Sequence, residues 1–321
     1  MSNFIQLIRN EQMKMYSQIS TWIMFGVLAL VIIVFGVFLK VNDSITDQGA
    51  PTGDDWKQEL QAENDQIKEG MKDAPKQVQD NPQSTSKIDE NNYRIEHNIK
   101  PKEYDAWSFV NANKTNISLI SLFTIIVAAG IIANEFKWGT IKLLLIRPIS
   151  RAKILFSKYV SVLVFALTML VFLYIFSFII GAMLFGIDGF SQTYLYQHSG
   201  EFIESPIFQH TISIYLLNSV NLLMMASFAF MISAVFRNSS LSIGVAIFLM
   251  MSGSTLVVFV ASKEWAKYIL FANTDLTVFF EGSPIIEGLT LPFSVSVLAV
   301  YFVLFIGLAW FFFTKRDVAS A

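Results

Sequence analysis

The sequence predicts an all-α polytopic membrane protein. It has six transmembrane helices, cytoplasmic N- and C-termini, an amphipathic interfacial helix at the N-terminus and an extracellular insertion between helices one and two. Three observations predict this. Hydrophobic residues make up 54% of the 321-residue chain and charged residues only 15%, against about 25% charged in soluble domains. Long uncharged runs recur at bilayer length: about 20 helical residues rising about 1.5 Å each cross a hydrocarbon core of about 30 Å, and a helix satisfies its backbone groups internally. Finally, Lys and Arg are sorted by loop, although the net charge is only −2.

Residues 1–20 place Phe4, Ile5, Leu7, Ile8, Met15, Tyr16 and Ile19 at spacings of three and four among Arg9, Glu11 and Lys14. That pattern predicts an amphipathic helix, lying on the cytoplasmic interface or packed on its own protein. Span one, residues 21–40, has a longer apolar run than the roughly 7–15 residues of a secretory signal, and no convincing small-x-small cleavage site follows Lys40, so it reads as retained. Residues 41–114 form an outside segment with 15 acidic against 9 basic residues. It is helix-compatible from Asp54 to Lys72 and looser from Asp73 to Ser86, where Pro75 and Pro82 stand. A solvated appendage fits this composition; a platform for substrate or partner is the functional alternative.

Span two covers 115–134 and span three 159–187, joined by a loop at 135–158. The loop at 188–211 carries Phe190, Tyr194, Tyr196, Phe202 and Phe208, which read as interfacial anchors. Spans four and five, 212–236 and 238–262, flank a tight turn at Arg237. Residues 263–287, with Trp265, Tyr268, Phe271, Phe279 and Phe280 broken by charge, read as short helices at the outer interface. Span six covers 288–314, and 315–321 is a tail. Orientation follows from the basic loops. Residues 135–158 hold Lys137, Lys142, Arg147, Arg151, Lys153 and Lys158 against the single acid Glu135. Arg237, Lys315 and Arg316 fall on the same side, whereas 187–211 carries Asp188, Glu201 and Glu204 with no Lys or Arg. Positive loops stay inside.

Several chemistries are excluded. Without Cys there are no disulfides, thiolate metal sites or cysteine nucleophiles, and without a basic excess there is no case for a nucleic-acid partner. No phosphate loop G-x-x-x-x-G-K-[ST], zinc motif H-E-x-x-H or hydrolase motif G-x-S-x-G occurs, so neither catalysis nor a bound cofactor or metal is expected. His97, His198 and His210 read as surface residues. The spans contain no central acid or base of the kind that ion-coupled carriers retain. Asn218 and Asn221, three apart, share a helix face and suit inter-helix hydrogen bonding or a polar strip along a path.

The most informative segment is N-E-F-K-W-G-T-I-K-L-L-L-I-R-P-I-S-R-A-K-I-L-F-S-K, Asn134 to Lys158. Lys142, Arg147, Arg151 and Lys153 alternate with aliphatics, and Pro148 forces a break between two short helices. Such a pair can rest on the membrane and present a face to a cytosolic partner; alternatively its charges only fix topology. The segment resembles the one after the second span in permeases of the type 2 ABC exporter family, where an acidic residue ends the span, a Gly-Thr step follows and a Pro-hydroxyl-Arg turn leads into the next helix. Here those positions are Glu135, Gly139, Thr140, Pro148, Ser150 and Arg151. The N-terminal helix, the six-span layout and the Arg237 turn extend the likeness; the large outside insertion departs from the shortest members.

The resemblance implies two permeases, identical or different, joined to a dimer of cytosolic ABC ATPase subunits that bind ATP and Mg. Glu135, Phe136, Gly139, Thr140, Lys142, Arg147, Pro148, Ser150 and Arg151 would then be the ATPase-coupling element. A path between the permeases would involve Phe123, Ile126, Asn218, Asn221 and Phe248, and an apolar path suits an amphiphile such as a peptide antibiotic, lipid or drug. The expected location is the bacterial cytoplasmic membrane, in contact with lipid. The alternative is a membrane sensor or immunity protein that binds an extracellular peptide without transport. A membrane-embedded enzyme ranks third, because no acid, base, nucleophile and metal set converges.

Overall fold

The computed structural model describes residues 2–46, 51, 53–72, 82–141, 149–187, 189, 193–198, 200–286 and 288–315. Among these, six helices are long and apolar enough to cross a membrane, so the chain is a multi-pass membrane protein. Helix α1 (Ser2–Tyr16) meets α2 (Ile19–Thr46) at a short break. The break is closed by side chains: Thr21 Oγ1 donates to the Met15 carbonyl at 2.6 Å and Trp22 Nε1 to that of Tyr16 at 2.9 Å, satisfying carbonyls that a helix end leaves free.

Outside the bundle, α3 (Trp56–Lys72) and α4 (Pro82–His97) lie together. Asn91 Nδ2 donates to Asn64 Oδ1 at 2.9 Å and Asn64 Nδ2 to Asn92 Oδ1 at 3.0 Å, above buried Trp56, Leu60 and Ile88. The looser stretch expected from Asp73 lies outside the described residues as far as residue 81. From Pro82 the chain is helical, since a proline at the first helical position loses no hydrogen bond there.

The second span begins at Ala106 rather than Thr115. Helix α5 (Ala106–Ala112) runs through a 3₁₀ turn (Asn113–Asn116) into α6 (Ile117–Lys137). The polar residues that disguised this start are internally bonded: Asn113 Nδ2 donates to the Phe109 carbonyl and Asn116 Nδ2 to Asn113 Oδ1, both at 2.8 Å. Helix α7 (Arg151–Phe185) likewise starts before the expected Tyr159; the second half of the anticipated loop, including Lys158, belongs to it.

One element departs from an all-α chain. β1 (Thr193–His198) pairs antiparallel with β2 (Glu201–Pro206), from Thr193 opposite Pro206 to His198 opposite Glu201. The aromatic-rich T-Y-L-Y strand and a glycine at φ 91° next to the turn favour a hairpin over helix. Helices α8 (Ile207–Phe236) and α9 (Ser239–Val260) follow. The connection after α9 then folds into short helical turns: 3₁₀ turns at Glu264–Tyr268 and Leu276–Phe279 with α10 (Leu270–Asn273) between them. Helix α11 (Leu291–Lys315) ends the described chain.

Helices α6 and α8 form the centre. Ala128 and Ile132 of α6 and Ala226, Ala229 and Phe230 of α8 share one buried cluster. Ser233 Oγ donates to the Ala129 carbonyl at 2.6 Å and accepts from the Ala133 N–H at 3.2 Å. In lipid, close packing of small residues and such inter-helix bonds supply the association that water would otherwise drive. Asn218, by contrast, donates within its own helix, to Ile214 at 3.0 Å.

Candidate functional site: a charged cluster at the end of the bundle

Helix α6 ends where Gly139 adopts φ 68°, with the Gly139 N–H bonded to the Phe136 carbonyl at 3.2 Å. A glycine past a helix end turns the chain without steric cost. Thr140 consequently folds back, and its hydroxyl donates to the Glu135 carboxylate. Residues 142–148 lie outside the described residues, and with them Lys142, Arg147 and Pro148. The chain re-enters at Ile149. Ser150, in extended conformation, caps α7 by accepting from the Lys153 N–H at 3.4 Å. Arg151 Nη1 donates to the Thr314 carbonyl at 3.3 Å, tying the start of α7 to the end of α11.

Two turns into α7 stands Lys158, 1% exposed. Its Nζ lies 2.9 Å from Glu135 Oε1 and 2.9 Å from Glu11 Oε2. Lys14 Nζ approaches Glu135 Oε1 at 3.2 Å and Glu11 Oε1 at 3.9 Å. Two carboxylates and two ammonium groups therefore alternate in one cluster joining α1, α6 and α7. Burial makes the charges of Lys158, Glu135 and Glu11 costly unless their partners are retained. Gln12 Nε2 donates to the Ser161 carbonyl at 2.8 Å, and Met15 is buried beside it. Helix α1 thus packs a polar-and-apolar face on its own protein, while Ile5 and Met13 face outward.

A third connection converges here. Arg237 caps α8 in the left-handed region, φ 56°, and its guanidinium sits 4.3 Å from the centre of the Phe136 ring. Asn238 caps α9, accepting from the Leu241 N–H at 3.1 Å. Both described flanks of the basic segment join the core, Ile141 fully buried and Ile149 packed against the same cluster.

Sequence reasoning identified Glu135, Phe136, Gly139, Thr140, Ser150 and Arg151, and the structure gathers them at one end. It missed Glu11, Lys14 and Lys158 as partners, having counted Lys158 among topology-setting charges. The available signal was register: Lys158 lies three residues after Leu155 and four before Val162, both buried. The five residues assigned to a path are dispersed. Phe123 is buried in the chain's own core, and Ile126 lines a cavity between α1, α2 and α6. Asn218 borders a smaller cavity at the opposite end, Asn221 is half-buried, and Phe248 faces outward.

At that opposite end His210 is completely buried, correcting its reading as a surface residue. The β-hairpin and the segment after Leu276 cover it, with the rings of Tyr194, Tyr196 and Phe280 at 4.3, 4.9 and 5.6 Å. Its Nε2 lies 2.8 Å from Glu281 Oε1, and Lys114 Nζ 2.8 Å from Glu281 Oε2. Burial and the Glu281 charge push the Tyr194 hydroxyl up to about 12. Among the described residues no group of three or more His, Asp or Glu converges as a metal-ligand set would.

Residues 84–319 match a family described as protein of unknown function DUF2705. The chain belongs to this family. The match covers α6, α7 and both of their clustered charges, Glu135 and Lys158, but not α1. The uncharacterized protein YhcI of Bacillus subtilis strain 168 is 47% identical over 320 residues, covering 98% of this chain and 100% of that relative. The uncharacterized membrane protein YdbK of the same organism is 31% identical over 203 residues, covering 62% of this chain and 78% of the relative.

Proposed function

We propose that this chain is the membrane-spanning permease subunit of an ATP-driven exporter whose ATPase is a separate cytosolic dimer. The observation that carries the reading is the mechanical attachment of the segment between Glu135 and Arg151. One flank is joined by charge to α1 and α7 through Lys158 and Lys14, and the other is bonded to α11 through Arg151. The α8–α9 turn contacts the same place through Arg237 and Phe136. A displacement applied there is transmitted to most of the bundle, because packed helices and ion pairs move as units.

In this reading the termini and the basic segment face the cytoplasm of a bacterial cell. ATP binding closes the ATPase pair, the segments of two permeases are driven together, and the spans tilt from inward-facing to outward-facing. The permease binds no cofactor itself; ATP and Mg stay with the partner. The cargo is an amphiphile passing between two permeases, with Phe123, Ile126, Asn218, Asn221 and Phe248 the positions to test for lining.

The test is affinity purification in mild detergent from the native cell, comparing wild type with a Glu135→Ala, Arg151→Ala variant whose thermal unfolding is checked in parallel. A stoichiometric ATPase recovered with wild type and weakened in the variant supports both the exporter and the coupling segment. Equal recovery by both would keep the exporter and remove these coupling residues. If no ATPase accompanies wild type, the exporter reading fails and peptide binding by α3 and α4 becomes the experiment to make.

A further inference from the structure

The cavity beneath α1 has the form of a binding site. About 530 Å³ in volume, it opens between α1, α2 and α6, within the range of about 300–1,000 Å³ typical of ligand sites. Its α6 wall is a graded stripe at every fourth residue: Ile126, then Gly130, then Asn134. Glycine inside a helix is disfavoured by about 1 kcal/mol relative to alanine, and here its missing side chain widens the space. The Asn134 carboxamide has no hydrogen-bond partner among the described residues. Asn134 to Ile126 is about 12 Å of helix rise, close to one leaflet's share of a hydrocarbon core of about 30 Å. The apolar part of the lining comes from Met24 of α2 and from Ile126, Val127 and Ile131 of α6, and the charged part from Glu11, Lys14 and Glu135.

We infer that this cavity receives one acyl chain of a zwitterionic phospholipid from the leaflet on the side of the N-terminal helix. That chain lies along Ile126 and Gly130, the second stays in the bilayer, and the headgroup reaches the charged part of the lining. The charged lining suits such a headgroup: Lys14, 56% exposed, presents an ammonium group to the phosphate, and the acidic side of the lining, Glu11 and Glu135, suits the headgroup amine. Asn134 supplies the amide for the ester region. The charged residues of the lining, Glu11, Lys14 and Glu135, sum to −1, which disfavours an anionic headgroup against one that carries an amine. The inference needs only that the helices cross a membrane, and it stands or falls apart from the exporter reading.

The experiment uses the full chain reconstituted in vesicles containing phosphatidylethanolamine with a diazirine in its acyl chain. After illumination the labelled residues are mapped. In wild type, label is expected on Met24 and within 126–134, besides the lipid-facing Phe259 of α9, which serves as internal reference. Gly130→Phe and, separately, Ile126→Trp fill the cavity and are expected to reduce its labelling about tenfold relative to Phe259. Unlabelled phosphatidylethanolamine is expected to compete about tenfold better than phosphatidylglycerol. Label confined to outward faces in wild type, or cavity labelling unchanged by both variants, would overturn the site. Equal competition by phosphatidylglycerol would overturn the headgroup assignment. The wild-type map decides the site even if a filled variant fails to fold.

Discussion

Nζ of Lys158 lies 2.9 Å from Oε1 of Glu135, so the last turn of α6 and the second turn of α7 are joined by charge on either side of the basic segment. The pair is completed from a distant part of the chain, because Glu11 of α1 takes another contact with the same ammonium group. Helix α1 is therefore an integral part of the bundle end.

Removing Lys158 alone leaves two nearly buried carboxylates with only the half-exposed Lys14 beside them. Lys158→Met is expected to lower stability by about 3–5 kcal/mol, the usual cost of breaking a buried ion pair from one side. Adding Glu11→Gln and Glu135→Gln should recover most of that loss, since neutral amides cost less to bury. Chemical unfolding in detergent micelles measures both. A triple variant as unstable as Lys158→Met would show that shape rather than charge is at stake.

Gly253 of α9 is set by close approach: a Cβ there would collide with the Phe271 ring of α10. Gly253→Ala is expected to cost about 1–3 kcal/mol by overpacking. Combining it with Phe271→Ala should cost less than the sum of the two single changes. Strict additivity in thermal unfolding would place the two residues out of contact.

Arg237 combines a left-handed backbone, φ 56°, with a ring contact. Arg237→Gly and Arg237→Ala both lose the contact with Phe136, but only alanine retains the steric cost of this conformation. Alanine should thus be less stable than glycine by about 1 kcal/mol. Equal melting temperatures for the two variants would contradict the backbone assignment of the α8–α9 turn.

Glu281 makes stability pH-dependent. Burial pushes its carboxyl up, but the contacts with His210 and Lys114 outweigh burial and hold it below the usual range. A carboxyl lowered in the folded state binds fewer protons folded than unfolded. Its contribution is therefore full above the unfolded value of about 4.3 and is lost as pH falls through the lower, folded value. Melting temperature should drop below about pH 4, and the drop should be shallower in Glu281→Gln. Parallel curves would assign the acid sensitivity to other groups.

Much of the architecture was legible because bilayer crossing imposes a one-dimensional constraint. A helix in lipid bonds its own backbone, so a long uncharged run identifies a span, and each of the six expected spans overlaps one of the six long apolar helices. The helix ends were less legible. The helical start at Ala106 was hidden by Asn111, Asn113 and Lys114; only folding supplies the Phe109 carbonyl and the Glu281 carboxylate that satisfy the last two. The hairpin from Thr193 to Pro206 was read as interfacial anchors because two short strands acquire their meaning from pairing, which is not local in sequence.

The sequence by itself determined the membrane class, the six apolar helices and the segment bounded by Glu135 and Arg151. Only the tertiary structure decided that Lys158 faces inward, that Glu11 and Lys14 of α1 complete its cluster, and that His210 is enclosed by the β1–β2 hairpin. The physical reason is range. Hydropathy is a property of consecutive residues, whereas pairing a buried charge depends on which distant helix face arrives opposite it, and for Lys158 that partner lies 147 residues earlier in the chain.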